Sequence, residues 1–212
     1  WFSETQKMKT PCSSSLSKDL RFLIDTFKAS ETRPLFFLIF SWAVGWGLSV
    51  QWFSAYSLQT FQATQSAISV FFLIQGVCWS LGGSLVNPIL LRRFSIPSTI
   101  TISFLIMGAL LISTLFWASF WGLQILVSLA SITAAIAMSN SLALLSIESA
   151  DQNQGAAMGL GQSTIALGLI AVPFVGSLIG TVDLHWMYPF CGGLLISSIT
   201  SFVLFYSGLK KG

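Results

Sequence analysis

Between Arg33 and Arg92 the chain carries no Asp, Glu, Lys or Arg, and between Arg93 and Glu148 it again carries none. A water-soluble fold needs charged surface side chains at far shorter intervals, since about a quarter of an average soluble sequence is charged. Here 8% of residues are charged against 54% hydrophobic, and the mean hydropathy of +0.79 exceeds what one globular core requires. The two uncharged stretches point to a bilayer as their solvent.

A helix crossing about 30 Å of hydrocarbon needs about 20 apolar residues. Six segments meet that length: 34–58, 67–91, 98–117, 121–147, 156–180 and 187–207. Turn-forming connectors separate them, QTFQATQS, RRFSIP, ASFWG and ESADQNQG among the first five segments. The expected fold is an all-α membrane protein: six transmembrane helices over 34–207, a polar segment 1–33 before them and a tail 208–212 after. The connector ASFWG is short enough that the third and fourth spans should form a tight antiparallel pair.

Lys and Arg close to membrane ends mark the cytoplasmic side. Lys7, Lys9, Lys18, Arg21, Lys28 and Arg33 precede the first span, Arg92 and Arg93 follow the second, and Lys210 and Lys211 follow the sixth. With six spans all ten cations share one side, so both termini are expected in the cytoplasm. Leu16, Leu20, Leu23, Ile24 and Phe27 recur at helical spacing among Lys18, Arg21, Asp25 and Lys28. That pattern predicts an amphipathic helix on the cytoplasmic face, resting either on the protein or on lipid. Residues 1–33 do not read as a signal peptide. The chain begins at Trp1, and the expectation is a piece of a longer protein.

The net charge of +3 is too small and too dispersed for a nucleic-acid-binding surface. Cys12, Cys78 and Cys191 have no metal-ligand spacing and read as packing residues. No metal and no cofactor is implied. No span contains His, Asp or Glu, so neither a nucleophile–base pair nor a proton relay is expected at membrane depth. The chain is therefore not read as an enzyme. His185, beside Asp183 in the last connector, reads as a solvated loop residue.

In the fifth span, Gly155, Gly159, Gln162, Ala166, Leu169, Pro173, Gly176 and Gly180 recur every three or four residues and share one face. Small residues let a neighbouring helix approach closely, and Pro173 allows a bend. The face serves static packing or a helix that slides during a functional cycle. Elsewhere Gly47, Gln51 and Ser54 share a face of the first span near Trp46, Trp52 and Tyr56; the second offers Gln75 and Trp79, the fourth Asn140 and the fifth Gln162. Uncharged amides beside aromatic rings could line a cavity for a largely apolar solute. Each amide has the alternative of an interhelical hydrogen bond, and Trp52 and Tyr56 that of interfacial anchoring.

These residues resemble the major facilitator superfamily of transporters, in which two six-helix halves surround a central cavity. Phe2-Ser3-Glu4-Thr5 is similar to the end of that family's sixth helix, followed by a basic central loop. The stretch GGSLVNPILLRRF, residues 82–94, resembles the second-half copy of a cytoplasmic gating motif, matched by Gly83, Arg92 and Arg93. Asn87 stands where the motif carries an acid, so a charge-based latch does not carry over to it. GLIAVPFVGSLIG, residues 168–180, is similar to the Gly-Pro-rich helix of drug antiporters, with Val172 in place of a Gly. The resemblance implies the C-terminal half of a secondary transporter moving a small apolar solute by alternating access. Its first, second, fourth and fifth spans would line the cavity, the third and sixth would face lipid, and a missing N-terminal half would be its partner. Efflux is favoured over uptake. The alternative is a non-transporting packing subunit or a truncated remnant.

Overall fold

The computed structural model describes residues 33–116, 119–149 and 154–209. The predicted amphipathic helix at 16–28, the flanking lysines at 210 and 211, and Asp151 lie outside them. The described residues contain no strand, and six helices are long and apolar enough to cross a membrane. The chain is an integral multi-pass membrane protein with an all-α, six-helix fold.

The first span consists of α1 (Arg33–Gln51) and α2 (Phe53–Phe61), separated by Trp52 at φ −91° and ψ −3°. Bonds from Trp52 N to Leu48 O and from Tyr56 N to Trp52 O carry the helical path across that position. Gln62 ends α2 in a left-handed conformation, φ 49°, so the helix runs three residues beyond the expected end at 58. The second span joins α3 (Gln65–Leu81), a π-helical turn at Gly82–Val86 and α4 (Asn87–Leu91). Thr64 caps it by accepting from Ala67 N at 3.3 Å. The third is α5 (Ile96–Ser113), capped by Ser95 with Pro97 in its first turn, and the fourth is α6 (Phe120–Glu148), capped by Ser119. The fifth is α7 (Gln154–Val182), with Pro173 inside it. A 3₁₀ turn at Leu184–Trp186 leads into α8 (Met187–Leu209), the sixth. We call the side where α1 begins and α8 ends the terminal side, and the opposite one the distal side.

The first, third, fourth and sixth spans close into a quartet: α1 packs on α8, α8 on α5, α5 on α6, and α6 back on α1. The short connector does bring the third and fourth together, as its length demands. The second span attaches to the fourth, and the fifth to the first. With hydrocarbon as solvent, close backbone approach drives such packing, and small residues mark each crossing. Ala130, Ala134 and Ala137 are fully buried on α6, and the Trp42 indole N–H reaches Ala134 O at 3.2 Å. At the α5–α8 crossing, a Cβ on Gly192 would lie 2.5 Å from Gly108 O, so neither helix could cross there with a side chain.

The small-residue face of the fifth span lies differently from the expectation. The residues of α7 that the bundle buries are Ala157, Gly161, Thr164, Ile165, Gly168, Val172 and Gly176. A Cβ on Gly168 would fall 2.6 Å from the Ala43 Cβ, and Gly161 meets Leu145 and Leu142. From the expected stripe only Gly176 is buried, while Gly155, Gly159, Gln162, Ala166, Leu169, Pro173 and Gly180 are exposed. The physical reason is that α7 carries small residues on two faces: one is buried on α1, and of the expected stripe only Leu169, near Gly47, and Gly176 and Gly180, near Trp52, reach the first span.

Candidate functional site

The aromatic residues of the first and second spans converge. Trp46 of α1 and Trp79 of α3 stack with ring centroids 5.9 Å apart at 28°, and Trp42 meets Trp79 at 6.1 Å and 57°. One turn before Trp79, Gln75 is buried, and its backbone carbonyl accepts from Ser131 Oγ at 3.1 Å, which seats α3 on α6. Trp46, Val50, Phe72, Gln75, Gly76 and Trp79 line a hollow of about 320 Å³. Gly76 keeps it accessible, because nothing lies within 4 Å of where its Cβ would be. A second hollow of about 520 Å³ on the outer surface of α3 shares Phe72 and Gly76 with the first and continues past Ser80 to Ser84.

The hollow's chemistry is uncharged: indole faces, a phenyl ring, one aliphatic side chain and one carboxamide. Indole surfaces favour flat or apolar groups, and a single amide can orient a solute without demanding a counter-charge. The Gln75 side chain makes no hydrogen bond to another described residue, so both its donor and its acceptor are available.

The remaining cavity candidates lie elsewhere. Gln51 is exposed at the end of α1 and Gln162 is exposed on α7. Trp52 fits against Gly176, where any Cβ would run into the indole, and it also approaches Gly180. Tyr56 is buried on the distal side, its hydroxyl 3.3 Å from His185 Nδ1. Asn140 follows the interhelical alternative: its Nδ2 donates to Asn87 Oδ1 at 2.6 Å and to Ile136 O at 2.8 Å.

The gating candidates spread along two spans. Gly83 lies in the π turn with open space around it, Asn87 follows that turn, and Arg92 and Arg93 are exposed in the next connector. The neighbouring Gly82 is the tight contact, meeting the Ile132 backbone with no room for a Cβ. Gly155 and Gly159 meet nothing within 4 Å. No protein-family model matches the chain, and no curated protein matches it in sequence.

Three lining residues had not been singled out as cavity residues, Val50, Phe72 and Gly76, and neither had Trp42, which meets the Trp79 ring from behind the hollow's lining. Trp42 was within reach of helical spacing, since it precedes Trp46 by one turn. Phe72 and Gly76 lie one turn before Gln75 and Trp79 respectively but carry no polar side-chain atom to draw notice. His185 is exposed in its connector, as a loop residue would be, and its ring also meets the hydroxyl of the buried Tyr56.

Proposed function

We propose that this chain is the C-terminal six-helix half of a secondary active transporter of the major-facilitator type, moving a small, largely apolar solute by alternating access. The observation that carries the reading is the position of the tryptophan niche. It opens beside the outer face of the second span, one of two spans that the bundle leaves mostly uncovered. Along that face Gly76, Ser80 and Ser84 recur at four-residue spacing, and each serine hydroxyl is satisfied by its own helix, Ser80 by Gly76 O and Ser84 by Ser80 O. The fifth span offers Gly155, Gly159, Ala166 and Pro173 in the same exposed manner. Surfaces of this kind suit close helix packing in lipid. A second six-helix bundle laid across them would enclose the niche near the middle of the membrane, where rocking of the halves exposes it to either side in turn.

In this reading the terminal side is cytoplasmic, the niche holds the solute on Trp46 and Trp79, and Gln75 orients it. The direction favoured is export, because uncharged aromatic walls select solutes already dissolved in the membrane. The same open faces also favour a second reading, a packing subunit that transports nothing.

Vesicles containing the chain alone, or the chain with a first-half six-helix partner, separate the two when efflux of an apolar fluorescent dye is followed. Dye flux from the pair only, reduced by Gln75→Leu or Trp79→Ala, supports the transporter. A stable pair without flux of any dye or candidate solute supports the packing subunit, and flux from the chain alone contradicts the half-transporter reading.

A further inference from the structure

We propose that the groove between the third and sixth spans, on the terminal side, holds an anionic phospholipid, with an acyl chain along its walls and the phosphate at Arg92 and Arg93. The inference is independent of the transport reading, since these two spans contribute nothing to the tryptophan niche.

α5 and α8 touch backbone to backbone where Gly108 meets Gly192, and toward the terminal side large rings take the place of glycines. Phe202 is buried and stacks on Tyr206 with centroids 5.1 Å apart at 18°. Beside these rings lies a groove of about 330 Å³, walled by Pro97 and Ile102 of α5 and by Phe202 and Val203 of α8. Val203 is exposed, as are Leu105, Ile106, Leu204 and Phe205 on the same two helices, so the groove belongs to a broad apolar surface suited to lipid.

Three hydroxyls also line the groove, and each is already engaged. Ser98 Oγ pairs with Ser95 Oγ at 2.9 Å, Thr101 Oγ1 donates to Pro97 O at 2.9 Å, and the Tyr206 hydroxyl donates to Glu148 Oε1 at 2.7 Å. A polar solute would exchange its water for groups that already have partners, whereas an alkyl chain gives up no hydrogen bond by lying against them. Charge enters at the end of the groove. Arg92 and Arg93 are exposed in the turn that leads into α5, within five residues of Pro97, and neither makes an ion pair among the described residues. Glu148 bonds Tyr206 but is not itself part of the lining, so two cations stand against one carboxylate. Basic pockets between membrane helices take anionic head groups, and Tyr206, apolar in body and polar at its tip, suits the interfacial level where such head groups lie. The excess of one positive charge complements a singly anionic lipid. Phosphatidylcholine offers the same chains and phosphate, but its trimethylammonium cancels the match.

The test places the whole chain in phosphatidylcholine nanodiscs doped with a lipid that carries a diazirine in its acyl chain, under either a phosphatidylglycerol or a phosphatidylcholine head group. Adducts are mapped by peptide mass spectrometry, and the yield ratio of the two lipids is compared between sites. At Ile102 and Val203 the ratio should favour phosphatidylglycerol by about tenfold over that at Leu167 and Ile170, which are exposed on the fifth span, the scale of two interfacial arginines partly offset by Glu148. Replacing both arginines, Arg92→Gln and Arg93→Gln, should bring the ratio to the fifth-span value, while Arg92→Lys with Arg93→Lys should keep most of it. Val203→Trp, which fills the groove from an exposed position, should remove phosphatidylglycerol adducts at Ile102 and leave those at Leu167 unchanged. A groove ratio equal to that of the fifth span overturns the site, as does a preference that survives the glutamine pair. Unchanged labelling of Ile102 in Val203→Trp overturns it as well. Adducts on the fifth span with none in the groove also overturn it, and show the groove to be covered by another part of the chain.

Discussion

The first and fifth spans pack against each other and are opposite in burial. The first has a mean hydropathy of 1.4 and 72% of its most apolar window is buried; the fifth reaches 2.2 with only 22% buried. In water the more apolar helix would be the more buried one. In a bilayer the order can reverse, because lipid tails are as apolar as leucine and hydropathy no longer distinguishes a protein neighbour from solvent. Side-chain size makes the distinction instead. Where α7 meets α1 it offers Gly168 and Gly176, and where it turns outward it divides into two flanks. One carries Leu167, Ile170, Phe174 and Leu178, all strongly exposed, as lipid-facing helices do. The other carries Gly155, Gly159, Ala166 and Pro173, which leave space rather than fill it.

The largest effect should come from forcing a side chain into the occupied face of that helix. Gly176→Leu must displace the Trp52 indole, and we expect about 1–3 kcal/mol of destabilisation, read as a fall in the thermal unfolding temperature of the purified chain. An unchanged temperature would break the contrast between the faces. Gly159→Leu on the open flank should leave that temperature unaltered while weakening association with a first-half partner in a pull-down. If it destabilised the chain alone, the open flank would be covered after all. A smaller term joins the second and fourth spans. A double-mutant cycle of Asn87→Ala and Asn140→Ala, measured by unfolding, should give a coupling of about 0.6–2 kcal/mol, the range for interhelical hydrogen bonds in membranes. Zero coupling would mean that the amide pair does not fasten the less buried span. The smallest effect on stability is expected from Gln75→Leu, since its side chain has no described partner to lose, although flux should fall. Unaltered flux would remove Gln75 from the solute path.

The six helices were legible because charge-free stretches of spanning length admit little else, and Thr64, Ser95 and Ser119 cap three of the helix starts. The niche was legible in part. Trp46, Gln75 and Trp79 carry amide or aromatic signals, but which pairs of spans converge is a tertiary matter that periodicity does not encode. Which face of α7 meets α1 is hidden for a similar reason. Two small-residue faces run along one helix, and the sequence does not say which meets a neighbour. The close α5–α8 crossing at Gly108 and Gly192 was likewise hidden, each glycine being unremarkable until the other lies against it. Asn140 reads as one uncharged amide among several and Asn87 as the stand-in for a motif's acid, and only the fold pairs them across 53 positions of sequence.

The central claim is that the open faces of the second and fifth spans belong to a partner bundle and not to lipid. Photo-crosslinking in native membranes tests it most directly, with benzoylphenylalanine placed at Ser80 or Gln162 on those faces, and at Leu105 or Leu204 on exposed positions of the third and sixth spans. The account predicts protein adducts from the first pair, mapping to a six-helix first half, and lipid adducts from the second. Lipid adducts from all four positions would contradict it.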